Sequence, residues 1–341
     1  MAKRSHPRRG SMAFSPRKRS NRHFGHVKSW PETDASEVRV QGFAGWKAGM
    51  THVMARDLNP RSTSAGQEVR VPVTVVEVPK MIVLGVRGYK MTPYGKQAAG
   101  EAWLDAEQME ESFPQITRRV GKNHHKDHEM DKHLTALSEA DLCEVRIIAA
   151  TQPHSITGTP SKTPEVMELG LDGGDSNAKL EWAKEHLGQE IGIADVFEEG
   201  TFVDTVGVTK GYGWQGVIRR FGGKLQSHKN SKKRRQHGNM GDFGTGYVRK
   251  TIRQGGQTGY HQRTEYNKRI LSIASAEDKS ITPAGGFLHY GEVNSEYVLV
   301  KGSLPGPAKR LVRFRDATRG SEKAAHPYEI TYVSTSSKQG V

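Results

Sequence analysis

The chain has 341 residues, of which 34% are apolar and 26% are charged, with 51 Lys and Arg against 37 Asp and Glu. This length accommodates two or three domains, or one domain with large insertions. The formal net charge of +14 favours a polyanionic partner such as a nucleic acid or an anionic membrane surface. The single cysteine excludes an internal disulfide and indicates a reducing compartment. No apolar run reaches the roughly 18–20 residues of a transmembrane helix, so we expect a soluble, cytoplasmic protein. Of the two polyanions, nucleic acid is the predicted partner, and no membrane partner is predicted.

The positive charge is concentrated in two segments. Residues 1–30 contain nine Lys or Arg and no acid, and residues 207–270 carry a net charge of +13. The other 247 residues sum to −8. A charge that serves solubility would be dispersed over the surface, whereas two basic segments beside a mildly acidic remainder are typical of phosphate binding.

The basic segment at residues 1–30 has no apolar periodicity and cannot form a core by itself. It is therefore predicted to be an extended arm. A disordered tail or a localisation signal is the alternative interpretation, and the second basic segment favours a nucleic-acid-binding arm.

Strand patterns begin after the arm. Residues 69–78 alternate and are rich in β-branched side chains, and residues 82–86 follow after Pro79 and Lys80, so we expect these two segments to pair. Further strands are predicted at residues 201–208, 287–293, 297–301, 311–315 and 328–333. Short strands separated by turns favour a mostly antiparallel barrel over a doubly wound parallel sheet.

Helical spacing of apolar residues occurs at residues 124–143 and 177–187. We therefore expect a helical insertion at residues 101–189. The barrel body is then formed by residues 38–100, 190–223 and 258–341.

Residues 224–257 follow neither a helical nor a strand period, and they contain the run from Lys232 to Arg235. A loop of this length without a core normally argues against an element assignment. Phosphates would neutralise these cations, and the six glycines between 238 and 256 allow sharp turns and close backbone approach. The segment is predicted to be a basic finger.

The motifs that would indicate an enzyme are absent from the sequence. There is no G-x-x-x-x-G-K-[ST] phosphate loop, no dinucleotide fingerprint between a strand and a helix, no G-x-S-x-G and no H-E-x-x-H. We expect no enzymatic activity, no small-molecule substrate and no cofactor. A translation-factor-like or RNA-modifying enzyme on a similar barrel and a DNA-compacting protein remain as alternatives.

Four histidines, His124, His125, His128 and His133, have a spacing that would allow metal binding on a helix. A solvated polar helix start is the favoured interpretation, and no metal site is predicted. Cys143 is expected to be a small core residue at the end of the same helix.

Residues 207–222 and 259–269 interleave cations, aromatic rings and glycines. This combination suits RNA, because Arg binds phosphates bidentately while aromatic and guanidinium planes stack on unpaired bases. The alternative is that Trp214, Phe221, Tyr260 and Tyr266 are core residues with cations at the rim.

Several strings together resemble one family. They are HPRRGSMAFSPRKRS, QGFAGWKAGMTHV, GVTKGYGWQGVIRRFG, GYHQRTEYNKRI, GGFLHYGEV and KGSLPGPAKRLVRFR. The chain is similar over nearly its whole length to the large-subunit ribosomal protein three family, in its archaeal type.

The resemblance implies a six-stranded antiparallel β-barrel of the translation-protein type, with a helical insertion and long non-globular extensions. It also implies a ribosomal protein that binds 23S-type rRNA near the 3′ end and helps to start large-subunit assembly beside neighbouring large-subunit proteins. The finger at residues 224–257 would extend toward the peptidyl transferase centre. Any ions nearby would be structural Mg²⁺ or K⁺ of the rRNA. At the fingertip most relatives have Trp where this chain has Phe243, which keeps a stacking face but lacks the indole N–H.

The residues predicted to bind RNA are mostly cations of the arm and of the second basic segment. They are Lys3, Arg4, Arg8, Arg9, Arg17, Lys18, Arg19, Lys210, Trp214, Arg219, Arg220, Lys229, Lys232, Lys233, Arg234, Arg235, Phe243, Arg249, Lys250, Arg253, His261, Arg263, Lys268 and Arg269.

Overall fold

A computed structural model describes most of the chain. The described residues are 14–33, 35–121, 129–231, 233–236, 238–241, 244, 246–249, 252–319 and 328–339. The chain forms two compact units: unit 1 comprises Met1–His23 and Val208–Gln262, and unit 2 comprises Phe24–Gly207 and Arg263–Val341. Among the described residues, no helix is long and apolar enough to cross a membrane.

Strands dominate the described residues, which confirms the prediction of a mostly β fold with helices inserted. The strands are β1 (Arg39–Val40), β2 (Gly42–Asp57), β3 (Glu68–Glu77), β4 (Met81–Thr92), β5 (Gly95–Trp103), β6 (Glu144–Ala150), β7 (Val166–Asp172), β8 (Glu190–Ile191), β9 (Phe202–Val208), β10 (Gly211–Gln215), β11 (Gly256–Gly259), β12 (Gln262–Ser275), β13 (Glu296–Lys301), β14 (Leu311–Asp316) and β15 (Tyr328–Val333). The α-helices are α1 (Ala106–Ser112), α2 (Thr117–Val120), α3 (Met130–Glu139), α4 (Ser176–Glu185) and α5 (Val217–Phe221), with short 3₁₀ turns at Pro114–Ile116 and Pro153–Ser155.

The larger sheet of unit 2 has seven strands in the order β14–β9–β12–β13–β3–β2–β15. Strand β14 pairs antiparallel with β2 as well as with β9, so the series of pairings returns to its first strand. The side chains of Val73, Val75, Val298 and Phe314 contribute to the buried core. Their β-branched or aromatic character explains why these segments form strands with one face shielded from water.

A second sheet has the order β1–β7–β6–β4–β5, with β8 also paired to β4. Leu134 and Leu137 of α3, and Leu180 and Ala183 of α4, are buried. Residues 101–189 thus contain α1 to α4 together with β6 and β7. Apolar residues three or four apart place one face of each of these two helices in the core.

Several predicted elements match the structure closely. Strands β3, β9, β13, β14 and β15 cover the predicted segments to within a residue or two, and α4 confirms the helix at 177–187. Helix α3 lies inside the predicted segment 124–143, of which residues 124–128 are outside the described residues.

The expected pairing of residues 69–78 with 82–86 is wrong. Strand β3 pairs with β2 on one side and β13 on the other, while β4 belongs to the second sheet. Both edges of β3 are therefore occupied. The Val78 N–H still donates to the carbonyl of Glu296 at 2.8 Å, and the chain then leaves this sheet at Pro79, which has no N–H to donate.

Two further expectations are wrong. Residues 287–293 form a turn with one isolated bridge from Phe287 to Gly291 rather than a strand, and His289 has a φ of 62°, which no extended strand accommodates. Cys143 is exposed rather than buried. Helix α3 ends at Glu139, and the Cys143 Sγ faces the carbonyl of Tyr89 at 3.2 Å.

Candidate nucleic-acid interface

Unit 1 has an extreme charge composition. It contains twenty Lys and Arg residues and a single acid, Asp242, for a net charge of +19, so unit 2 carries −5. Like charges at this density repel each other in the compact state. The unit is expected to need a polyanion that lies against it.

The framework of unit 1 is the antiparallel pair β10–β11, which places Trp214 opposite Gln257. Gly259 has a φ of 72°, and a Cβ at this position would lie 2.0 Å from the carbonyl oxygen of Lys210. A glycine is required here both by the left-handed backbone and by the close approach of the two strands.

The side chain of Arg220 binds the backbone before and within β11. Its guanidinium donates to the carbonyls of Gln254 at 2.9 Å and Gln257 at 3.1 Å, and more weakly to Gly255 at 3.4 Å. Helix α5 ends immediately afterwards at Gly222, which has left-handed backbone angles. Arg220 is therefore a structural cation that fixes β11 relative to α5.

Three guanidinium groups surround one aromatic ring. The Cζ atoms of Arg17, Arg220 and Arg253 lie 4.4, 5.2 and 5.8 Å from the centre of the Phe221 ring. Arg17 also donates to the carbonyl of Arg220. Burial and the neighbouring charge of Arg17 lower the pKa of Arg220, and guanidinium groups nevertheless stay protonated. The described residues of unit 1 include no acid that could neutralise these three positive charges. The cluster therefore attracts anions strongly.

The arm is attached to unit 1 through His261. This side chain is buried, its Nε2 accepts from the N–H of Gly259 at 3.0 Å, and its Nδ1 lies 2.8 Å from the carbonyl oxygen of Lys18. The first contact assigns the proton to Nδ1, so the ring donates to Lys18. The N–H of Ser20 donates to the carbonyl of Tyr260 at 2.8 Å. Lys18 and Ser20 of the arm are thus hydrogen-bonded to the residues that follow β11.

Most predicted RNA-binding residues of unit 1 present their side chains to solvent. The exposed ones are Lys18, Arg19, Lys210, Trp214, Arg219, Lys229, Lys233, Arg234, Arg235, Arg249 and Arg253. Trp214 is 79% exposed, and Arg219 lies 4.7 Å from the ring centre of the exposed Tyr212. The core interpretation is wrong for Trp214 and also for Tyr266, which is 41% exposed, while Phe221 and Tyr260 are half-buried.

The predicted residues of unit 2 have intramolecular partners. Lys268 pairs with Glu265 at 2.7 Å. Arg269 is buried, donates to the carbonyl of Gly200 at 3.2 Å and lies 5.2 Å from the ring centre of Tyr328. Arg263 is half-buried.

Other predicted residues lie outside the described part of the chain. They are Lys3, Arg4, Arg8, Arg9, Lys232, Phe243 and Lys250, together with His124, His125 and His128 of the histidine cluster. Among the described residues, no group of three or more His, Cys, Asp or Glu side chains is arranged to hold a metal ion.

Sequence reasoning missed that Phe221 organises three arginines and that Arg220 and His261 bind backbone groups. The adjacency of Arg220 and Phe221 is the local signal. The partners of both side chains, however, are set by chain segments far apart in sequence.

The comparisons with known proteins identify the family. The family model described as ribosomal protein L3 matches residues 1–340. The chain belongs to the ribosomal protein L3 family. It is 47% identical over 336 residues to the large ribosomal subunit protein uL3 of Archaeoglobus fulgidus, with 98% of each chain covered. The protein of the same name from Methanococcoides burtonii is 44% identical over 344 residues, and that from Picrophilus torridus is 42% identical over 341, each with full coverage of both chains. Family membership and the archaeal character of these relatives confirm the resemblance seen in the sequence.

Proposed function

We propose that the chain is a structural rRNA-binding protein of the large ribosomal subunit, in the cytoplasm, and has no enzymatic activity. The observation that carries this proposal is the difference in net charge between the two units, +19 on unit 1 and −5 on unit 2. Neutralising phosphates with Lys and Arg releases counterions, which makes the affinity strong and salt-dependent. Exposed aromatic rings among the cations favour RNA with unpaired bases over duplex DNA or a membrane surface.

The two kinds of cation in unit 1 have different roles in this proposal. Arg220 and His261 position β11 and the arm through backbone contacts. The exposed cations bind phosphates. The three arginines around Phe221, whose charge no described acid of unit 1 neutralises, accommodate one further phosphate. Trp214 stacks on an unpaired base.

The family supports a more detailed proposal. The protein binds 23S-type rRNA near its 3′ end, starts subunit assembly and contacts neighbouring large-subunit proteins, and the ions nearby are Mg²⁺ or K⁺ of the rRNA. Residues 1–30 act as an arm. Residues 224–257 act as a finger toward the peptidyl transferase centre, with Phe243 as a stacking group at its tip.

The body of the protein is proposed to be a six-stranded barrel of the translation-protein type, whose strands lie within residues 38–100, 190–223 and 258–341, with residues 101–189 as its insertion. The return of the strand pairings from β2 to β14 supports this architecture. Closure of β14, β9, β12, β13, β3 and β2 into a barrel would leave none of these six strands with an exposed edge.

The test is a filter-binding titration of the full chain with rRNA over a range of salt concentrations. The test variant replaces the exposed Lys229, Lys233, Arg234 and Arg235 with Gln. The matched control replaces four exposed cations of unit 2, Lys90, Arg118, Lys132 and Lys184, with Gln, so that the net charge changes equally.

We expect the test variant to bind less tightly and to reduce the salt slope by about 3–4, because each phosphate contact contributes about 0.9 on a duplex. The control variant should retain the slope of the unsubstituted chain. An rRNA affinity independent of salt contradicts phosphate binding, and equal affinity for duplex DNA at matched salt favours a DNA-compacting protein instead.

A further inference from the structure

Unit 2 has an open groove of about 500 Å³. We call it the Tyr266–Tyr328 groove, and it is lined by Asn59, Phe202, Tyr266, Asn267, Lys268, Arg269, Lys301 and Tyr328. The lining contains three cations, three aromatic rings and two amides, and it contains no acid. This composition differs from the rest of unit 2, which carries a net negative charge.

Tyr266 presents a planar surface at one side of the groove. Its side chain is 41% exposed, and the exposed Arg319 lies 4.4 Å from its ring centre. A guanidinium group over a tyrosine ring forms a cation–π pair and retains N–H donors for an anion.

The backbone around Tyr266 is fixed in an unusual conformation. Asn267 has a φ of 53°, its N–H donates to Asp204 Oδ1 at 3.1 Å, and its amide donates to the carbonyl of Arg319 at 3.3 Å. Asp204 is fully buried and pairs with Arg315 at 3.0 Å. A left-handed residue held by a buried carboxylate keeps Tyr266 and Arg319 together.

Tyr328 lies between two cations. The Nζ atom of Lys301 lies 4.7 Å from its ring centre and donates to its hydroxyl at 2.8 Å, and the buried Arg269 lies 5.2 Å from the same ring. Lys301 is exposed, so its remaining N–H donors face solvent. Of the other two lining cations, Lys268 is paired with Glu265, and Arg269 is buried and donates to the carbonyl of Gly200. Lys301 of the lining and Arg319 over the Tyr266 ring are therefore the exposed cations available for an added anion.

We propose that the Tyr266–Tyr328 groove binds one unpaired nucleotide of the rRNA, with its base on Tyr266 and its phosphate on Lys301 and Arg319. The inference rests on the proposed function. A stacked duplex offers no free base face, whereas an unpaired nucleotide supplies both a π-face and an anionic phosphate. The amides of Asn59 and Asn267 provide donors and acceptors for the base edge.

The first experiment irradiates assembled large subunits that contain the full chain with ultraviolet light and identifies crosslinked peptides by mass spectrometry. We expect a nucleotide adduct on Tyr266 or Tyr328. Crosslinks from these residues to another protein would overturn the proposal. So would the absence of an adduct on both residues in an experiment that detects nucleotide adducts elsewhere on this chain.

The second experiment measures rRNA affinity of full-chain variants by filter binding. Tyr266→Ala should weaken binding about tenfold or more without changing the salt slope, because base stacking is not ionic. Tyr266→Phe should retain the affinity, and Lys301→Gln should reduce the slope by about 1. Tyr94→Ala is the matched control, because Tyr94 is 94% exposed in the turn between β4 and β5.

The outcomes separate the two proposals. If Tyr266→Ala and Tyr94→Ala have the same affinity while binding remains salt-dependent, the groove proposal is wrong and the proposed function stands. If the unsubstituted chain shows no salt-dependent rRNA binding, both fail.

Discussion

The guanidinium carbon of Arg220 lies 2.8 Å from the position that a Cβ on Gly256 would occupy. Arg220 cannot move aside without losing its hydrogen bonds to the carbonyls of Gln254 and Gln257. We therefore expect Gly256→Ala to destabilise the β10–β11 pair locally by about 2 kcal/mol, because hydrogen bonds from a charged donor contribute about 1.5–3 kcal/mol each. Faster amide hydrogen exchange within β11 would measure this loss.

Gly216→Ala is the control for this variant. Gly216 precedes α5 with a φ of −68°, and an added Cβ there meets no atom within 4 Å. Amide hydrogen exchange in β11 of the Gly216→Ala variant should be as slow as in the unsubstituted chain. Unchanged exchange in Gly256→Ala as well would show that Arg220 does not fix β11.

The second prediction concerns the contact of His261 with the arm. His261→Ala removes the hydrogen bond to the carbonyl of Lys18 and leaves that partly buried carbonyl without this donor. We expect trypsin to cleave after Lys18 and Arg19 at least several-fold faster, because proteolysis requires local release of the backbone. His228→Ala, at an exposed position of the same unit, is the control and should leave the cleavage rate unchanged.

The elements that could be predicted from sequence are those with local signals. Alternating β-branched residues identify β3, and apolar spacing identifies α4. The partner of each strand could not be predicted in this way. Strand β3 pairs with β2 and with β13, and β13 is more than 200 residues away in sequence. Nothing in residues 69–86 carries that information.

The candidate site shows the same division. Charge segregation identifies the basic segments, since charge is a property of each residue. Arg17 binds a carbonyl 203 residues away, and His261 binds one 243 residues away. Such long-range contacts decide whether a cation faces solvent or binds the backbone. The residues predicted from the sequence to bind RNA therefore include exposed cations as well as Arg220 and Arg269, which bind backbone carbonyls.

The third prediction concerns Asp316 of unit 2. Burial raises the pKa of Asp316 to about 6; the charge of Arg39 opposes this, and the charges of Asp172 and Asp204 reinforce it. The folded state therefore binds a proton that the unfolded state, with the usual Asp pKa near 3.8, does not bind between those values. The free energy of unfolding should gain about 2 kcal/mol from this group between pH 7 and pH 4, at about 1.4 kcal/mol per pKa unit, because the unfolded state also begins to bind the proton near pH 4.

Urea unfolding of the full chain and of Asp316→Asn at about pH 7, 6 and 5 measures this effect. The free energy of unfolding of the unsubstituted chain minus that of Asp316→Asn should increase as the pH falls from 7 to 5, because only the unsubstituted chain gains the proton on Asp316. The subtraction removes contributions common to both proteins, such as that of His52, whose pKa is lowered by burial and by Arg70. Burial would raise the pKa of Glu168, but hydrogen bonds from Tyr89 and Arg146 outweigh it and lower that pKa, so its stabilisation is lost only below about pH 4.5. A constant difference between the two proteins would contradict the assignment to Asp316.

The fourth prediction concerns Trp214 on β10. Its side chain is 79% exposed and contributes little to any core, so Trp214→Ala should leave hydrogen exchange in β10 and β11 unchanged. If the indole stacks on an unpaired base, the variant loses about 1–3 kcal/mol of rRNA affinity. The salt slope should stay constant because no charge is removed. Trp214→Phe keeps a stacking face and should recover most of the affinity. Unchanged affinity in Trp214→Ala would exclude Trp214 as a stacking group for RNA, although it is the most exposed aromatic side chain among the described residues of unit 1.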